Sequence, residues 1–356
     1  MPCLVAGSKP ASQLLLNINR QTYETPVNRF LFSFIVSVVA GNVVAVGIDG
    51  EPVETAHLTR ADLSILFRDN SQSPKILSGV DSLFNIRDAK GFDAFDPDSP
   101  GASAGLNFEH IISGHSNVAN PFAPRHGRYT LYKLTDDHSV VLQRLREDCP
   151  WDVSSTLKYT VTGPHYIDVD FQCTPHQRSV FGKRGYAVLF FADYMNDVAE
   201  VPLHFLGVDS PQANEQWISG DAPKGSPDWN SGGTYRHRQA VDLEYDADHN
   251  FKLNLWSYDY PRYTRPFYYG RAANDMVFII MFNKACTAED EIRFSIFKFK
   301  LPKKQRPAWD FQYVIHKVEE NRDYGFKARV VWKKFVSPGD CLAEYERWSK
   351  SLARQK

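Results

Sequence analysis

The chain has 356 residues, enough for one large domain or two ordinary ones, and a formal charge of -1 from 41 Lys+Arg against 42 Asp+Glu. A near-neutral chain carries no broad basic field, which excludes nucleic acid and anionic lipid as partners gathered by charge. Hydrophobic residues at 43% are ordinary for a folded protein, but aromatics reach 13%, an excess that suits strands and sugar-stacking surfaces better than a helical bundle.

Residues 1–40 read as a leader. After Asn28-Arg29 comes FLFSFIVSVVAG, an apolar run too short to span a bilayer that ends in the small residues Ala40-Gly41. That is the layout of a signal-peptide core and cleavage site, displaced from the first residue. Two readings fit. Translation from near Val27 would give a secreted or periplasmic protein matured near Ala40. Alternatively, Phe30–Ile48 is a buried strand pair turning at Gly41-Asn42, in a cytoplasmic protein. Neither implies stable membrane insertion.

Residues 41–104 read as an N-terminal β segment packed on the main domain. VVAVGIDGEPV has a strand–DG-turn–strand pattern. Thr59–Phe67 is predicted as a short helix, with Thr59 as N-cap and Asp62 imitating a capping box. GFDAFDPDSPGASAG is a loop and the natural internal boundary. From 105 to 356 the apolar period is two: Leu157, Tyr159 and Val161 alternate with Thr156, Lys158 and Thr160, and Ile167, Val169 and Phe171 with Asp168, Asp170 and Gln172. Strict alternation predicts strands with one buried face. Near the end, Ser337 can cap and Pro338 suits the first turn of a helix with a Leu342, Tyr345, Trp348, Leu352 stripe. No 20–50 residue repeat is present, which excludes a solenoid or propeller. The expected fold is all-β, a large antiparallel β-sandwich of supersandwich type with a short C-terminal helix.

Chemistry concentrates in four places. GLNFEHIISGHSNVANPFAPRHGRY (105–129) holds three of eleven histidines. On a regular strand His110 points away from Glu109 and from His115, so no metal set is predicted. The five cysteines form no CxxC pair, and HExxH, HxH, GxGxxG and P-loop patterns are missing, so neither metal nor cofactor is expected. The segment reads instead as acid–base chemistry. His115 and His126 would move protons while Arg125 and Arg128 hold an anionic group such as a uronate carboxylate. The alternative is a loop whose histidines bond backbone carbonyls. His165 starts a strand after Pro164, a rim position, with Asp168 and Asp170 following on one face.

FKLNLWSYDYPRYTRPFYYGR (251–271), read as a strand, aligns Asn254, Trp256, Tyr258 and Tyr260 beside Arg262 and Arg271. Rings would stack on a pyranoside while Asn and Arg bond its hydroxyls or carboxylates. Tyr258 and Tyr269 could donate protons if a neighbouring arginine lowered a pKa. The alternative is ordinary packing between sheets. Last, the long loop from Trp217 to Arg238 carries Trp229 and could cover a ligand.

KLTDDHSVVLQR, a run ending in HYIDVDF, and WDFQYVI before YGFKARVVW are similar in order to pieces of galactose-mutarotase-like supersandwich proteins. The phrases ISGH, PHYIDVDF, PFYYGRA and PAWDFQYVI also resemble uncharacterised secreted bacterial proteins of the planctomycete type. The first resemblance implies a leaning toward carbohydrate and a His acid with a carboxylate base; the second implies no activity. The expected function is a carbohydrate-active enzyme on an acidic or hydroxyl-rich glycan, using His and Tyr. Elimination is preferred to hydrolysis or epimerisation because no carboxylate pair stands out. A non-catalytic glycan-binding or cell-surface protein is the alternative from another class.

Overall fold

The computed structural model describes residues 47–71, 77–97, 105–114, 125, 127–222, 230–257, 259–299 and 306–354. The leader and its two readings lie outside these. Residues Ile48–Lys356 form one compact unit.

The first strands are β1 (Gly50–Val53), β2 (Thr55–Arg60), β3 (Leu63–Arg68), β4 (Gly79–Asn85), β5 (Asn107–Ile112), β6 (Thr130–Leu134) and β7 (Ser139–Arg144). Next come β8 (Val153–Thr162), β9 (Tyr166–Pro175), β10 (Ala187–Ala192), β11 (Val198–Val208), β12 (Gln216–Gly220) and β13 (Ser231–Tyr235). A single helical turn, α1 (Lys252–Leu255), precedes β14 (Arg262–Tyr263), β15 (Phe267–Ala272), β16 (Met276–Phe282), β17 (Asp290–Lys298), β18 (Pro307–Ile315), β19 (Tyr324–Lys334) and the helix α2 (Pro338–Ala353).

They build three antiparallel sheets. The large one has 11 strands in the order β1-β6-β7-β8-β9-β19-β16-β15-β11-β12, with β14 attached to β11. A five-stranded sheet, β13-β17-β18-β10-β5, and a three-stranded sheet, β2-β3-β4, contribute to the same core. The expected all-β sandwich is what the chain forms, and the alternation explains why. Leu157, Tyr159 and Val161 of β8 and Ile167, Val169 and Phe171 of β9 face inward, toward Trp309, Phe311 and Tyr313 of β18. Aromatic edges interlock across the gap, as between Phe171 and Phe191 (5.0 Å) and Phe278 and Trp309 (6.5 Å). Gly270 is what lets Trp309 lie flat there: a Cβ at that position would stand 2.4 Å from the indole.

Thr59–Phe67 is not a helix. It closes the β2–β3 hairpin, with Ala61 at φ 49 and Leu63, Ile65 and Phe67 alternating into the core. Period-two burial outweighs the imitation capping box, because an isolated short helix gains little without packing.

Each outer sheet face is covered differently. On the large sheet, Phe267, Tyr269, Val277, Ile279, Met281 and Val331 form a second apolar layer closed by α2. That helix starts as its sequence predicts, with Ser337 Oγ accepting from Asp340 N at 3.1 Å and Pro338 in the first turn. On the five-stranded sheet, Val188, Phe190, Ala192 and Val314 lie under an irregular strap that includes Leu243, Tyr245, Phe251, Leu253 and Trp256.

A candidate acid–base cavity on the five-stranded sheet

Strand β5 departs from regular pairing at one residue. His110 pairs with Phe190 and Phe108 with Phe191, so Glu109 is an extra residue, a β-bulge. The bulge defeats the parity that would put Glu109 and His110 on opposite sides. Both side chains are buried together, with His110 Nε2 3.1 Å from Glu109 Oε2. Arg125 NH1 (2.6 Å) and the Tyr194 hydroxyl (2.8 Å) donate to the other oxygen. Burial alone would raise the Glu109 pKa, but the charge and hydrogen bond of His110, then Arg125 and Tyr194, hold it below the ordinary range. Glu109 is therefore an ionised carboxylate that orients the imidazole beside it.

Asp310 of β18 behaves in the opposite way. It is 2% exposed, and its Oδ1 accepts one bond, from Asp193 N at 2.9 Å. Burial pushes its pKa well above the ordinary value, and the neighbouring carboxyls of Asp193 and Glu109 push it further. Behind it, Asp193 is fully buried. Its Oδ1 accepts from Leu106 N at 2.7 Å, Oδ2 has no partner, and burial lifts the pKa to about 7. A neutral carboxylic acid and an ionised glutamate thus stand in one place.

Both line a cavity of about 340 Å³ with His110, Tyr194 and Lys252, walled by Phe190, Phe251, Phe297, Phe299, Ile112 and Leu253. Groups of the same kind with pKa values driven apart are what acid–base chemistry requires. Among the described residues no group of three or more His, Cys, Asp or Glu is placed to hold a metal ion. The described cysteines Cys149, Cys173, Cys286 and Cys341 are free thiols. No described helix is long and apolar enough to cross a membrane.

The described residues among those singled out from sequence do not come together. His115, His126, Tyr258 and Trp229 lie outside the described residues. Arg125 reaches the cavity only through Glu109, whose carboxylate it bonds. Arg128 is exposed beside a separate groove lined by Asp69, Asn70 and Tyr129. The 251–257 stretch is not a strand, because α1 interrupts it. Asn254 turns inward and donates to Gln312 Oε1 at 2.6 Å, Trp256 packs in the strap, and Leu255 is exposed instead. Asn254 and Trp256 therefore do not stand in one exposed row. Tyr260 lies under the Arg262 guanidinium at 5.2 Å, and Arg262 also bonds the Asp259 and Ala240 carbonyls.

The other three belong to the large sheet. His165 sits 3.6 Å from Asp62 and 3.9 Å from Glu344 of α2, an anchor for the helix. Tyr269 is buried, stacked on His204 at 4.9 Å, and burial raises its pKa, the reverse of what a proton donor needs. Arg271 lies 3.9 Å over Phe335 and 3.5 Å from Glu200.

Sequence reasoning missed His110, Tyr194 and Asp310. One signal was available: in PAWDFQYVI, Asp310 alternates with Trp309 and Phe311, so it must occupy the other face of a strand that is buried throughout. A buried acid without a cation partner on its strand marks a tuned group.

No family model matches the sequence, and no curated protein is significantly similar to it. Similar solved structures include a heparan sulfate lyase HepC mutant from Pedobacter heparinus, at 8% identity and a TM-score of 0.41, covering 80% of this chain and 35% of that one. A GalM/aldose epimerase homologue from C. elegans has 10% identity and a TM-score of 0.41, covering 80% of this chain and 100% of that one. The galactosidase domain of the alpha-galactosidase-sucrose kinase AgaSK has 7% identity and a TM-score of 0.38, covering 80% and 42%. The chain thus spans about a third of the lyase's length. The planctomycete-type resemblance finds no support in these comparisons. Likeness this distant says nothing about chemistry, so function has to be argued from the cavity.

Proposed function

We propose that this chain is an acid–base enzyme acting on a small hydroxylated ring compound, sugar-like in size, in the cavity between β5, β10, β18 and α1. The observation that carries it is the opposed tuning of Asp310 and Glu109 around His110. Neutral Asp310 gives a proton to a ring or leaving oxygen. The imidazole of His110, steadied by Glu109, takes a proton from a hydroxyl or an acidic C–H, and the two exchange roles to reset. Tyr194 and Arg125 act as positioning residues through Glu109.

The cavity's size favours a monosaccharide or small glycoside over a polysaccharide chain. Elimination from a polyuronide, the reaction preferred from sequence, needs a cation for the substrate carboxylate. Arg125 is engaged by Glu109, and Lys252 is the only lysine or arginine among the described lining residues. Proton transfer of the epimerising or hydrolytic kind suits the cavity better. Export with maturation near Ala40 belongs to the same proposal, and a native N-terminus ahead of Ala40 would remove it.

The test is a panel of aldoses and small glycosides, followed by polarimetry for anomer exchange and by reducing-end assay for hydrolysis. Turnover that disappears in Asp310→Asn, with ligand binding retained in calorimetry, supports the enzyme. Binding without turnover in the wild type would replace it by the glycan-binding alternative.

A further inference from the structure

The walls of the cavity say more than its acid–base end. Two clusters of rings flank it. On one side His110 meets Phe190 edge-on at 5.2 Å and Phe251 at 5.6 Å, while Phe190 and Phe251 are themselves 5.2 Å apart. On the other, Phe297 and Phe299 meet at 4.8 Å, and Phe299 lies 5.6 Å from Tyr194. Ile112 and Leu253 complete the apolar lining. Phe251, Phe297 and Phe299 are only half-buried, so these rings keep apolar surface open rather than spending it on the core.

A free sugar offers one or two apolar faces and a rim of hydroxyls. It would leave most of this lining against its polar edge, where each unpaired hydroxyl costs free energy. The carboxyl, imidazole and phenol groups of the lining, His110, Glu109, Tyr194 and Asp310, lie together, and the strap adds Asn250 and Lys252. The complementary ligand is lopsided, polar at one end and aromatic at the other.

We propose that the cavity takes glycosides, or similarly hydroxylated rings, carrying an aromatic group. The aromatic ring would sit between the Phe190/Phe251 and Phe297/Phe299 walls, with the linking oxygen toward Asp310. The inference rests on the acid–base reading of the same cavity and adds its substrate class. Edge-to-face contact with four phenylalanines recognises a flat ring and discriminates against an alkyl group of the same length.

The experiment titrates the full chain calorimetrically with phenyl and methyl β-glucosides and β-galactosides. Phenyl compounds should bind at least tenfold more tightly than their methyl counterparts, a ratio that burial of only about 60 Å² of further apolar surface supplies. Phe251→Ala should reduce that preference to threefold or less. If that variant fails to fold, Phe299→Leu serves, with the same expectation. Equal affinity for phenyl and methyl compounds, or no binding of any phenyl compound, overturns the proposal. Its failure is separable from that of the enzyme reading. Phenyl preference in a protein that turns nothing over removes the enzyme alone, and equal turnover of methyl and phenyl compounds removes the aromatic specificity alone.

Discussion

The two outer faces of the sandwich carry similar residue types and use them differently. On the large sheet every conspicuous charge is answered: Asp168 grips Arg329 at 2.6 and 2.8 Å, and Lys333 bonds Glu344 and Asp340. Burial alone would raise the Glu344 carboxyl, but nearby His165 and the bonded Lys333 and Arg347 hold it far below the ordinary range. Those groups fix α2. On the five-stranded sheet, Asp310 and Asp193 have no cation partner among the described residues and are driven up instead. Compensated charge is architecture; uncompensated acid beside an imidazole is chemical potential. The histidine at the sequence-predicted rim, His165, belongs to the first kind, and His110 to the second.

The sharpest way to break this contrast is to truncate one histidine from each face. His110→Ala should lower turnover by about 10²–10⁴-fold, whereas His165→Ala should leave turnover of folded protein within a factor of about two while lowering the melting temperature. Comparable kinetic losses from both would erase the distinction.

Next is Trp348→Ala, which empties the layer beneath α2, where Trp348 is 4% exposed. A loss of about 3–5 kcal/mol in denaturant unfolding is expected, with kcat/KM unchanged at temperatures where the variant is folded.

The pH responses of the two faces should have opposite signs. Glu344 is depressed in the folded state, so its contribution is present above the unfolded value of about 4.3 and is lost as pH falls below it. Asp193 is raised to about 7, so its contribution is fully present below the unfolded value of about 3.9 and is lost as pH rises toward 7. Melts of wild type and Asp193→Asn should show the variant removing roughly 2–3 kcal/mol of stability loss between about pH 5 and pH 8.

The smallest effect belongs to Asp168→Ala. Its ion pair with Arg329 is partly exposed, so about 0–1 kcal/mol is expected and no change in turnover. A kinetic defect there would move the active site to the large sheet.

How far residues alone lead differs between these faces. Wherever burial follows one clean period, two in β8 and β9 and the helical one in the α2 stripe, the order of letters is the structure. Legibility fails where one residue changes the count. Thr59–Phe67 carries a helix-start signature over what is really a hairpin, and Phe251–Tyr260 breaks into a helical turn that scatters Asn254, Trp256 and Leu255 in three directions. At β5 the chemistry depends on a bulge that alternation cannot reveal. Asp310 was readable in principle, since an acid interrupts an otherwise apolar strand, but its pairing with Glu109 depends on strands far apart in sequence.

The bulge has one more consequence. Without Glu109, Asn107, Phe108, His110, Ile111 and Ile112 keep their alternation and their partners on β10. The strand is complete without that residue. In evolutionary terms, inserting a single codon is enough to give an existing buried imidazole its carboxylate, with no strand forced to change register. Losing the codon would take the carboxylate away and leave the architecture standing.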